Sequence, residues 1–221
     1  MDLRDFERQR SEVAECMARL YRMGLTTTSG GNISLRLSDD LFCITPSSLD
    51  KACLTADTIA VVTMGGENLT PHLTLSIESE MHRLTLLNRP DANAVVHAHP
   101  CYATAFTTLR RPDGSLALNT RLIGESWFLL GEPEVVPYFR MGSQSLAEAV
   151  SQAARAKSVL LMENHGVLAV GATLLKAFDR IEVLENAARM TFITQTMVNG
   201  GCVVKNLDPR ECDGLSALSD A

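Results

Sequence analysis

The sequence predicts an α/β fold: one domain built on a central sheet covered by helices. Three observations carry that prediction. Short apolar or alternating runs, too short for helices, recur along the chain and are separated by segments with helical spacing. The chain is 221 residues long, 46% hydrophobic and 21% charged, enough for one domain to bury a core without disulfide staples. It holds no repeat, low-complexity tract or linker that would divide it.

The elements follow in order. Phe6, Val13, Met17, Leu20 and Tyr21 recur at helical spacing, and Gly24 ends that helix. Thr26 to Asn32 is a run of small polar residues and glycine, hence a loop. Ile33, Leu35 and Leu37 alternate with polar residues as a strand does, with Leu41 to Thr45 as hairpin partner. Ile59 to Thr63 is β-rich, with a turn at Gly65-Gly66. Ser76 to Asn88 has helical spacing, Ala92 to His99 is an apolar strand, and Tyr102 to Leu109 a helix. Arg110 to Arg140 is punctuated by Pro and Gly and predicts no regular element. Ser145-Leu146-Ala147-Glu148 has the form of a capping box opening a helix. Ser158 to Met162 and Val167 to Val170 read as strands around Asn164-His165-Gly166. Thr173 caps a long helix that stops at Asn199-Gly200-Gly201, and residues 208–221 read as a loose tail.

Composition narrows the function classes. A net charge of -6 without pattern gives no footprint for nucleic acid or an anionic membrane. No apolar run is long enough to cross a bilayer, and no apolar segment follows the mixed charges of the first residues. Six cysteines without a C-x-x-C pair read as reduced, small hydrophobic residues, so a cytoplasmic protein is expected.

Chemistry concentrates at the histidines. His97 and His99 flank Ala98 on a predicted strand, and period two points both imidazoles to one side. Alone this pair is as well read as two half-buried histidines as it is a metal pincer. His165, in a turn between two apolar strands, adds a third neutral nitrogen. Three imidazoles and an open position describe a catalytic zinc site, with other divalent transition metals also compatible. His72 reads as an exposed loop residue, and His82 as a structural hydrogen-bonding residue rather than a fourth ligand. Thr28 to Asn32, and Thr45 to Ser48, are hydroxyl-rich loops suited to a polar or anionic group. Glu67, Glu78 and Glu80 each read as solvated carboxylates, none raised above the others.

Ser29-Gly30-Gly31-Asn32-Ile33-Ser34, Thr45-Pro46-Ser47-Ser48, Ser76-Ile77-Glu78 with His82, Arg89 through His99, and Glu163-Asn164-His165-Gly166 follow one another in an order that resembles the class II aldolase/adducin family. The resemblance runs from the first helix to Gly200. It implies an α/β/α sandwich around a mostly antiparallel sheet, and a homotetramer with active sites between subunits. It implies zinc ligands at His97, His99 and His165 and a catalytic acid/base at Glu78. It implies substrate or phosphate contacts from Ser29, Gly31, Asn32, Thr45, Ser47 and Ser76. The chain departs from the family pattern at Ile77, where a second serine is usual, and around Asn119 to Ile123, where no tyrosine matches; Arg121, Glu125 or Trp127 stand in that region. The expected activity is zinc-dependent retro-aldol cleavage of a ketose 1-phosphate to dihydroxyacetone phosphate and an aldehyde. A sugar-acid (phosphate) decarboxylase or a pentulose-phosphate epimerase is the alternative, and a non-catalytic adducin-like interaction module a more distant one. A small sugar phosphate or sugar acid is the expected partner.

Overall fold

A computed structural model describes residues 3–219. Seven strands form one sheet in the order β3-β2-β1-β4-β7-β6-β5. They are β1 (Asn32–Arg36), β2 (Leu41–Ile44), β3 (Ala60–Thr63), β4 (Ala94–Ala98), β5 (Glu134–Val136), β6 (Val159–Met162) and β7 (Gly166–Gly171). Every neighbouring pair is antiparallel except β5 and β6.

Both faces of this sheet are covered, and the two cores separate by strand parity. Ile33, Leu35, Cys43, Val61, Ala94, Val96, Leu161, Val167 and Ala169 pack on one face. There they meet α1 (Glu7–Arg22), α3 (Cys101–Thr107) and α6 (Leu174–Asn199). Phe42, Ile44, Val62, Val95, Leu160, Met162, Leu168 and Val170 pack on the other, beneath α2 (Ser79–Asn88) and α5 (Gln144–Ala153). Successive side chains point to opposite faces, so apolar runs such as Val159 to Met162 feed both layers. This α/β/α sandwich with a mostly antiparallel sheet is the predicted fold class. No helix among the described residues is long and apolar enough to cross a membrane.

Three local expectations are corrected. The helix after Gly142 is capped by Ser143, whose hydroxyl accepts from Leu146 N at 3.2 Å, not by Ser145. Starting the helix there places Leu146, Ala147 and Val150 against the sheet, while Glu148 accepts from Gln144 instead of closing a capping box. The segment expected to be a loose tail forms α7 (Pro209–Ser219). Its start is a reciprocal box: Glu211 N donates to Asp208 Oδ1 and Glu211 Oε2 accepts from Asp208 N, with Pro209 at the first helical position. Trp127 on α4 (Gly124–Leu130) donates to Cys212 O at 2.9 Å, and Cys212 is buried. Finally, the unassigned stretch Arg110 to Arg140 contains α4 and β5, held through Asn119 N to Thr191 Oγ1 and Thr120 Oγ1 to Gly131 O.

Candidate active site

The site lies at one end of the sheet, where β4 and β7 meet. His97 pairs with Leu168 across β4 and β7, on the face beneath α2. Two residues on, just past the strand end, His99 follows on the same side; the two ring centroids are 4.6 Å apart. His165 sits in the connection from β6 to β7, its ring centroid 4.9 Å from that of His97 and 5.7 Å from that of His99. One nitrogen from each imidazole lies within 4.8 Å of the others. The spacing of His97 and His99 therefore did place both rings on one side, and the turn delivered the third.

Backbone room permits this approach. A Cβ on Gly166 would lie 2.7 Å from Ala98 O and 3.1 Å from His99 Nε2, with His99 Cδ2 closer still. A Cβ on Gly30 would lie 2.8 Å from His99 Nδ1. Asn164 takes up φ 53°, the left-handed conformation that turns the chain before His165.

The tautomer of His97 is set by its neighbour. His97 Nδ1 lies 2.9 Å from Val167 O, so Nδ1 carries the proton and Nε2 presents a bare lone pair. His97 Nε2 and His165 Nδ1 are buried atoms without a hydrogen-bond partner. Burial pushes the His97 and His99 rings down, His99 to about 3, with the Glu78 carboxylate opposing in both. Three imidazoles that bring one nitrogen each within 4.8 Å of one another, two of the rings carrying a buried nitrogen without a hydrogen-bond partner, are a donor set for a divalent transition ion. This chemistry fits the metal that the sequence suggests.

Glu78 is buried at the start of α2, not solvated as its sequence context alone suggests. Its Oε2 lies 3.4 Å from His97 Nε2 and its Oε1 3.0 Å from His165 Nε2. Burial pushes its carboxyl up, but the neighbouring histidines and the Asn32 amide outweigh this and hold it well below the usual carboxylate range. Glu67 remains exposed in its turn, and Glu80 pairs with Arg83.

A buried polar chain fixes the carboxylate from behind. Asn32 Nδ2 donates to Glu78 Oε2 at 2.8 Å and to Ser76 Oγ at 3.0 Å. Asn32 Oδ1 lies 2.5 Å from His82 Nε2, and His82 Nδ1 lies 2.7 Å from Ser34 Oγ. An amide oxygen only accepts, so His82 carries its proton on Nε2 and accepts from Ser34 at Nδ1. His82 is wholly buried and its ring pushed down to about 3, mainly by that burial. It is the hydrogen-bonding residue expected from sequence. Ser34 was missed, because strand alternation suggested a solvent-facing side; its burial comes from the α2 layer.

The remaining predicted positions divide. Asn32 and Ser76 join the chain just described. Thr45 is buried and its hydroxyl accepts from Ile33 N at 3.1 Å. Ser47 is half-buried and its N–H donates to Thr74 O. Gly31, at φ 67°, passes under His97 O, while Ser29 is exposed. Arg121 stacks on Trp127 at 4.9 Å and pairs with Glu132 at 2.7 Å. Lys51 went unread. It is buried beside the Thr45 to Ser48 loop, and a lone lysine in a polar stretch gave no signal of that.

Known proteins share this architecture. The chain is 33% identical over 175 residues to 3-oxo-tetronate 4-phosphate decarboxylase of Haemophilus influenzae, covering 79% of this chain and 82% of that one. It is 35% identical over 179 residues to L-fuculose phosphate aldolase of Methanococcus vannielii, covering 80% and 92%. The structure of YgbL from Escherichia coli superposes with a TM-score of 0.84 at 27% identity, covering 95% of this chain and 98% of that one. Residues 11–192, spanning most of α1, the whole sheet and most of α6, match the class II aldolase and adducin N-terminal domain, and the chain belongs to that family.

Proposed function

We propose that the protein is a metal-dependent carbon–carbon lyase that releases dihydroxyacetone phosphate from a ketose 1-phosphate by retro-aldol cleavage. The observation that supports this most is the lone ionised carboxylate, Glu78, set against three convergent imidazoles. His97, His99 and His165 are the residues to hold the metal, and their nitrogen set favours zinc. A divalent ion there would act as a Lewis acid, polarising the substrate ketone and spreading the negative charge of an enediolate.

The proton balance then falls to the chain. As the carbon–carbon bond breaks, its electron pair passes into the enediolate, and the proton of the departing fragment's hydroxyl goes to the Glu78 carboxylate. Glu78 afterwards returns that proton to the carbon. Asn32 holds Glu78 Oε2 during both transfers, with Oε1 beside His165. Asn32, Ser76, Thr45, Ser47, Gly31 and Ser29 are proposed to receive the polar and phosphorylated parts of the substrate.

A second reading is supported by the decarboxylases among the relatives. A 3-oxo acid phosphate losing carbon dioxide from the carbon beside its ketone leaves the same enediolate. The only change is the fragment expelled, and a proton is then drawn from solvent. The reading also carries a homotetramer in the cytoplasm. The apolar side chains that α6 leaves exposed, Met190, Phe192, Ile193 and Met197, support self-association.

The test is to incubate zinc-loaded protein with ketose 1-phosphates and with 3-oxo-tetronate 4-phosphates. Dihydroxyacetone phosphate, aldehyde and carbon dioxide are assayed separately. Aldehyde with dihydroxyacetone phosphate supports cleavage, carbon dioxide selects the second reading, and no turnover on either panel overturns both.

A further inference from the structure

Lys51 is 2% exposed, among the largest fully buried side chains of the protein. Its backbone N–H donates to Thr28 O at 3.0 Å, and its Nζ donates to Pro46 O. The residue thus bridges the loop before β1 and the loop after β2, the two hydroxyl-rich segments beside the site. An ammonium group carries three donors, and a single carbonyl meets one of them. Buried cations are ordinarily paired, because the cost of desolvation is large. Among the described residues Lys51 forms no ion pair with a carboxylate. Glu78, close enough for its charge to support the ammonium, is already occupied by Asn32 and the histidines. Burial pulls the lysine down to about 8, with Glu78 opposing, so it remains largely charged at neutral pH. A divalent ion at the histidines would add positive charge beside Glu78, the one carboxylate whose charge also acts on Lys51.

We propose that Lys51 is the cationic anchor for the phosphoryl group of the substrate, lying under the Thr45 to Ser48 loop and selecting phosphorylated over neutral sugars. The inference rests on the reading of the pocket as a sugar-phosphate site and adds to it a charge that the hydroxyl and amide groups do not supply. A phosphoryl dianion suits the place better than a neutral hydroxyl chain, since only an anion offsets the desolvated ammonium.

The experiment uses zinc-loaded protein and isothermal titration calorimetry with three probes: inorganic phosphate, dihydroxyacetone phosphate and dihydroxyacetone. The Lys51→Met variant, checked for zinc content and melting temperature, is expected to bind both phosphorylated probes about 10- to 100-fold more weakly. Dihydroxyacetone binding should stay as in the wild type. Unchanged phosphate affinity with a lowered melting temperature would overturn the proposal, leaving Lys51 as a tie to the Pro46 carbonyl. Equal losses for dihydroxyacetone and dihydroxyacetone phosphate would overturn it too, since the lysine would then not be reading the phosphoryl group. Should Lys51→Met fail to fold, lysine 15N spectra of the wild type decide. The signal most protected from exchange must shift on adding inorganic phosphate, and a still signal refutes the assignment. Lost phosphate binding in the variant, with no wild-type turnover on any sugar phosphate, would sustain Lys51 while overturning the lyase reading; turnover with Lys51→Met indifferent would do the reverse.

Discussion

Replacing Gly166 by alanine probes the metal centre without substituting any of its proposed ligands. The added Cβ would meet Ala98 O at 2.7 Å and His99 Nε2 at 3.1 Å, with His99 Cδ2 nearer than either. Ala98 O belongs to β4 in the middle of the sheet and cannot retreat. The imidazole must therefore move by about 1 Å to reach ordinary van der Waals separation. Overpacking of this kind costs about 1–3 kcal/mol, which for a chain this long lowers the melting temperature by about 3–10 °C. Displacing one ligand of three should weaken metal affinity about 10- to 100-fold. Gly214→Ala is the control, because nothing lies within 4 Å of a Cβ there and α7 gains a better helix former. Affinity is read by competition with a chromophoric chelator, and stability by calorimetry of the metal-free protein. If Gly166→Ala melts lower but binds zinc as tightly as the wild type, the ring of His99 is not part of the centre.

Other expectations follow from the same geometry. Glu78→Gln keeps the hydrogen bond from Asn32 but cannot take a proton, so turnover should fall by about 10²- to 10⁴-fold while zinc content holds; equal turnover would remove Glu78 from the chemistry. His82→Phe leaves Asn32 Oδ1 and Ser34 Oγ buried without a partner, at about 1–3 kcal/mol each, and frees the Asn32 amide to turn away from Glu78. Both unfolding free energy and turnover should drop, and His82→Gln, which can still donate to Asn32, should recover part of each. Metal-free protein should lose stability in acid. His82 and His99 titrate near 3 when folded but near the ordinary histidine value when unfolded, so the unfolded chain binds more protons between those limits. Their contribution is complete above about pH 6.5 and falls as pH drops toward 3, with a slope of up to about 1.4 kcal/mol per pH unit for each ring. Glu78, depressed when folded, adds loss of the same sign below its unfolded value of about 4.3. Denaturant titrations at stepped pH measure this, and a flat profile between pH 6 and 4 would contradict it.

The parts of the fold legible in the sequence are those whose signal is local. Val159 to Met162 and Ala94 to Ala98 are apolar, β-rich and bounded by turns, and they form β6 and β4. Thr173 caps α6 as expected, its hydroxyl accepting from Lys176 N at 3.2 Å. Where pairing is distant, local pattern failed. Asn119 finds Thr191 across 72 residues and Trp127 finds Cys212 across 85, and neither contact leaves a trace in nearby periodicity. The tail is a different case. Asp208-Pro209-Arg210-Glu211 carried a helix start in plain view, and its polar composition concealed it.

The candidate site divides along the same line. Period two brought His97 and His99 together, yet the burial of Glu78 could not be read from its position among three similar carboxylates. What distinguishes Glu78 is the layer opposite. β1 and β4 pair so that Asn32 faces His97 and Ser34 faces Val95, on the side where α2 lies. A strand reading hydrophobic-polar-hydrophobic suggests one wet face, but here α2 closes over it and the polar residues must satisfy one another. Ser34, His82, Asn32 and Glu78 do so in a single line that ends beside the histidines. The Asn32 amide oxygen fixes the His82 proton on Nε2, and that in turn makes Ser34 the donor to His82 Nδ1. The line reaches the histidines at Glu78, whose Oε1 lies 3.0 Å from His165 Nε2 and whose Oε2 lies 3.4 Å from His97 Nε2. The network thus fixes the Glu78 carboxylate from the α2 side and leaves its other contacts to the histidines.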